Sequence, residues 1–162
     1  MVSERDISQD KTPGDLAREA LWFLAHTLIA FVLLAIVVGV MALNHPDPDS
    51  SSPKLLGTVL AFVAPIVGGF LLARIHHNEV ATYVWISGLV IFSIASVWVI
   101  DLPTGNGLCE TCGAGEKLWR TFFTFSHGSG LMGGDGLLVG TWIPLSMIGY
   151  AIGAKLALIS RY

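Results

Sequence analysis

Charge is scarce in this sequence and unevenly placed. Only nine Lys and Arg and twelve Asp and Glu occur among 162 residues, and the stretches 20–46, 55–73, 80–100 and 136–154 contain none of them. The formal net charge is −3 and the basic residues are scattered, so no basic patch exists to neutralise phosphates and nucleic acid is not an expected partner. Cysteine is limited to Cys109 and Cys112, too few for a disulfide-rich scaffold. Also missing are a phosphate-cradling glycine loop, a dinucleotide fingerprint, an HExxH pair and a Ser-His-Asp context. The connections leave no room for a soluble catalytic domain. The chain therefore reads as a non-enzyme, and no cofactor is expected.

What is there is apolar surface. Hydrophobic residues make up 53% of the chain and charged ones 13%, with a mean hydropathy of +0.68, far from the soluble norm. A helix needs roughly 20 apolar residues to cross hydrocarbon. The charge-free stretches supply four such spans, placed at 20–43, 55–74, 80–100 and 137–158. Their apolarity is continuous, without the alternation of barrel strands, and only helices then satisfy every backbone amide in lipid. The expected fold is an all-α integral membrane protein: one domain over 1–162, built as a four-transmembrane-helix bundle. Thr12-Pro13-Gly14-Asp15 predicts a capped helix start near Pro13, and Asn44-His45-Pro46 a break after the first span. The short connection from Ile75 to Glu79 makes the second and third spans antiparallel neighbours. The first span is too long for a signal peptide's apolar region, and its leader is acidic, so it is read as retained.

Orientation follows from the basic residues. Arg5, Lys11, Arg18, Arg74, Lys155 and Arg161 fall on one side of the spans, against Lys54, Lys117 and Arg120 on the other. That excess places both termini, and the segment 1–19, in the cytoplasm of a cell inner or plasma membrane, with the loop 101–136 outside. Trp22, Trp85, Trp98 and Trp142 sit near span ends, where indoles favour the interface.

Small residues recur at helical spacing: Gly57, Ala61, Ala64 and Gly68 in the second span, Gly149 and Gly153 in the fourth, with Ala157 beyond. Such rows let backbones approach in lipid, within one bundle or between two copies of a homodimer. Pro65 and Pro144 are tolerated kink positions in membrane helices.

The loop 101–136 holds both cysteines as Cys109-Glu110-Thr111-Cys112. A local disulfide, a redox-active dithiol and a zinc site completed by His127 with Asp135 or Glu116 are its three readings, the disulfide being preferred and no metal expected. Downstream, Leu118, Trp119, Phe122, Phe123 and Phe125 share one helical arc, with Lys117, Arg120, Thr121 and Thr124 opposite, which predicts a short amphipathic helix on the membrane surface. Lys117 and Arg120 would lend positive potential to a reactive thiol. In helix count and in Cys109/Cys112 the chain resembles the four-helix membrane thiol oxidoreductases of the disulfide-bond-forming and vitamin K epoxide reductase types. That resemblance implies an electron relay to a second cysteine pair, and this chain has no third cysteine.

His26 is the one ionisable group well inside a span, and such residues are functional candidates by default; the alternative is a neutral ring bonded to a neighbouring helix. His76, His77 and Glu79 fall on the same side and offer it a metal or haem environment. The resulting reading is a small multi-pass membrane protein serving as an interaction or accessory component. The lipid bilayer, another membrane protein or a second copy would be its partners. A thiol-disulfide oxidoreductase borrowing its second redox centre, and a transporter or channel subunit, are the alternatives.

Overall fold

The computed structural model describes residues 12–44, 51–76, 78–103, 111–124 and 139–160, with backbone only at 51–53 and 139. The first helix, α1 (Pro13–Asn44), begins where the sequence supplies a cap: the Asp15 amide donates to Thr12 Oγ1 at 3.3 Å and the Thr12 amide to Asp15 Oδ2 at 3.2 Å. Its 32 residues span about 48 Å at 1.5 Å per residue, more than hydrocarbon requires. His26, Ala30, Leu34, Val37 and Met41 form its single buried row.

α2 (Ser51–Ile75) carries Pro65 in its interior. Asn78 then starts a 3-10 turn, Glu79–Tyr83, by accepting the Val80 amide at 3.0 Å. α3 (Trp85–Asp101) follows, then the short α4 (Ala114–Phe122). A second 3-10 turn, Val139–Thr141, leads into α5 (Trp142–Ile159). Among the described residues all regular structure is helical, and four helices are long and apolar enough to cross a membrane. α5 starts at Trp142, several residues inside the apolar run. Pro144 therefore lies in its first turn, where a proline's missing N–H has no helical partner to lose.

The centre of the bundle is the α2–α5 pair. Trp142 covers Gly57, Gly149 meets Phe62 and Gly153 meets Ile66, so positions rise together along both helices and the two run parallel. Gly153 lies directly on the carbonyl of Ile66, Gly149 on that of Phe62, and Gly69 on that of Tyr150; a Cβ at any of the three would overlap backbone. This is the close packing that small residues permit between apolar helices. The buried row of α2 runs Gly57, Ala61, Pro65, Gly69, Ala73 at strict four-residue spacing. Ala64 and Gly68 lie beside that row, half-buried, and Gly68 faces Leu33 of α1.

α1 lies against α2 and α5, and α3 against α5. The short α2–α3 connection does not make those helices packing partners. Gly88 instead seats α3 on Met147 and Pro144 of α5. The shared core contains Ala30, Ala73, Ala81, Val84, Met147, Tyr150, Ala154 and Ala157.

α4 docks on the C-terminal half of α3. Phe122 is buried against Phe92, ring centroids 4.7 Å apart, and against Val99. Its buried arc differs from the one the apolar residues mark. Lys117 and Thr124 are buried, whereas Trp119 and Phe123 are exposed side by side with centroids 5.8 Å apart. The reason is that Lys117 is drawn inward by the unpaired carbonyls ending α3.

Candidate functional site

α1, the end of α2, the turn after it and α5 converge around His26. The four-residue spacing of the buried α1 row points His26 at α5, where Tyr150 projects from between Gly149 and Gly153. Close approach of α5 to α2 at those two glycines fixes the depth of Tyr150. His26 Nδ1 and the Tyr150 hydroxyl are 2.7 Å apart. His26 is 1% exposed and Tyr150 completely buried.

The other imidazole nitrogen, Nε2, has no hydrogen-bond partner among the described residues. A tyrosine hydroxyl donating to Nδ1 leaves Nε2–H as a buried donor; the opposite tautomer leaves it as a buried acceptor. Either arrangement costs about 1–3 kcal/mol unless a small polar species is taken up there. Above His26, toward the N-terminus of α1, the Trp22 ring lies 6.0 Å from the imidazole and stacks on His76 at 4.4 Å. Trp22, well inside α1 though near the start of the expected span, is thus engaged by an aromatic neighbour. The Arg74 guanidinium sits over Phe70 at 5.6 Å on the same side. The arrangement can hold a hydrogen-bonded chain from Tyr150 through His26 to one further polar atom. Among the described residues no three His, Cys, Asp or Glu side chains converge as a metal site would require. His77 lies outside the described residues.

The opposite end of the bundle carries the second candidate. Cys112, just ahead of α4, is buried and is not a free thiol. Cys109 lies outside the described residues, as do Phe125, His127 and Asp135. Both cations expected to bias a thiol are hydrogen-bonded elsewhere. Lys117 Nζ donates to the carbonyl oxygens of Ile100, at 3.2 Å, and Leu102, and Arg120 pairs with Glu116 at 2.9 Å. Lys117 thereby caps α3 and ties α4 to it. Replacing it with Met keeps the apolar stem and removes the cap. Lys117→Met is expected to cost about 1–3 kcal/mol, seen as faster amide exchange confined to α4 and the last turn of α3.

Several of these residues carry no signal in the sequence. Gly69 and Gly88 are two glycines among eighteen. Tyr150 reads as an interfacial or core aromatic until His26 is placed beside it. Trp142 donates from Nε1 to Thr58 Oγ1 at 2.8 Å, a bond between positions 84 apart in sequence. Ser146, fully buried, turns its hydroxyl back to the Ile143 carbonyl at 2.8 Å and so needs no partner helix.

No family profile, no curated protein and no solved structure matches the chain.

Proposed function

We infer that this chain is a four-span integral membrane protein with both termini in the cytoplasm, working as an interaction or accessory component and not as a self-contained enzyme. The observation that carries the reading is the division of its surface. Leu21, Leu24, Leu28, Val32 and Ile36 on α1 and Ile94, Val97 and Trp98 on α3 are exposed, up to 69% for Val97. The polar groups His26, Ser146 and Lys117 are enclosed. An apolar exterior around a polar interior suits lipid as solvent, and an interior this closed gives a substrate no route to the chemistry. Lipid, a neighbouring membrane protein or a second copy of the chain covers that exterior. Trp119 and Phe123, beside Arg120, suit α4 to the outer membrane interface.

Cys109 and Cys112 close a short outer loop as a disulfide in this reading. The engaged and buried state of Cys112 supports a staple, because a redox couple needs an accessible sulfur. Thiol titration with a membrane-impermeant maleimide separates the two. Native membranes are expected to give no free thiol until strong reductant is added, and Cys109→Ser is expected to trap no mixed disulfide with another protein. A pair reduced under mild conditions, with a partner captured by Cys109→Ser or Cys112→Ser, would establish the oxidoreductase instead.

A further inference from the structure

We propose that the bundle holds one phospholipid with an ethanolamine headgroup, in a groove between the C-terminal half of α5 and the turn that precedes α3. The proposal rests on the membrane reading above. The groove encloses about 770 Å³. Its floor is an α5 face at helical spacing, Ile148, Ala151, Ile152 and Ile159, and its wall is Trp85. From Lys155 back to Ile148 is seven residue steps, about 10 Å along the axis, within the roughly 15 Å depth of one leaflet's hydrocarbon. That length fits an acyl chain lying along the helix.

The groove exists because the chain enters α3 through the Glu79–Tyr83 3-10 turn. Ala81 and Val84 of that turn and its end are buried against the core, while Thr82, Tyr83 and Glu79 are turned to the rim. Polar groups are confined to that rim, with Lys155 one turn before the end of α5. Lys155 presents an ammonium and Glu79 a carboxylate, both lining the same cavity. A phosphate beside Lys155 with a primary ammonium beside Glu79 satisfies both charges. A quaternary choline offers Glu79 no N–H donor, and a glycerol headgroup offers it no positive charge.

The test uses purified full-length chain, stripped of lipid in detergent and reconstituted into phosphatidylcholine vesicles containing equal parts of phosphatidylethanolamine and phosphatidylglycerol. Alkaline extraction first scores insertion, and native mass spectrometry of the re-extracted protein then identifies retained lipid. One phosphatidylethanolamine per chain is expected. Glu79→Gln should lower the preference for it over phosphatidylglycerol roughly fivefold, Lys155→Met should weaken retention of both, and Ile152→Trp should block the groove. Inserted protein that retains the three lipids in proportion to their abundance overturns the site, as does a Glu79→Gln chain with unaltered preference. Protein that alkali releases from the vesicles overturns the membrane reading and the site with it.

Discussion

Gly153→Leu is expected to abolish the folded bundle in detergent solution, while Leu156→Ala, three residues away, leaves it nearly intact. Gly153 lies on the Ile66 carbonyl at the crossing of α2 and α5, and even one added carbon would overlap backbone, which has no rotamer to give way. Overpacking by a single methyl in such a place costs about 1–3 kcal/mol, so Gly153→Ala should already lower the unfolding midpoint measurably. Leu156 is 49% exposed on the flank of α5 beside its buried face, where truncation removes contact with lipid or detergent and changes stability by about 0.5 kcal/mol or less. Thermal unfolding and size-exclusion profiles of the purified variants read the difference. Equal, small effects at both positions would mean that the Gly149/Gly153 face does not meet α2.

Tyr150 carries the second large expectation, because it joins that seam to the buried histidine. It heads the fully buried side chains by volume, and Tyr150→Ala is expected to destabilise by about 3–5 kcal/mol through the cavity left among Ala30, Ala73 and Met147. Tyr150→Phe keeps the ring and removes only the hydroxyl, leaving Nδ1 of His26 without a partner among the described residues, as Nε2 already is. About 1–3 kcal/mol of loss is expected, and His26→Leu in the Tyr150→Phe background should restore part of it by removing the orphaned polar group. Unchanged stability of Tyr150→Phe would show that the His26–Tyr150 bond is not formed in the membrane.

The four long apolar helices were legible because apolarity over some 20 residues is a local property that needs no knowledge of neighbours. Thr12 and Asp15 were legible for the same reason: a capping box is closed within four residues. What the sequence concealed is which faces meet. The small residues of α2 mark the row 57, 61, 64, 68, whereas the parallel approach of α5 buries 57, 61, 65 and 69, bringing Pro65 and Gly69 inward. Lys117 illustrates the limit from the other side. A helical wheel assigns a charged residue to the polar arc, whereas the free carbonyls at the end of α3 offer that ammonium better partners than water-facing solvent exposure would. His26 was recognisable as an outlier by its depth in an apolar run. Its partner was not, because Tyr150 lies 124 positions away in sequence and is joined to it only by folding.

The central claim, a bundle crossing the bilayer four times with both ends inside, is tested most directly by paired topology reporters. One is fused after Tyr162 and the other inserted in the loop 101–136. A reporter active only in the cytoplasm should work after Tyr162 and fail in the loop, and a reporter active only outside should do the reverse. Cytoplasmic activity at both positions, or external activity after Tyr162, would contradict a four-span chain oriented by its basic residues.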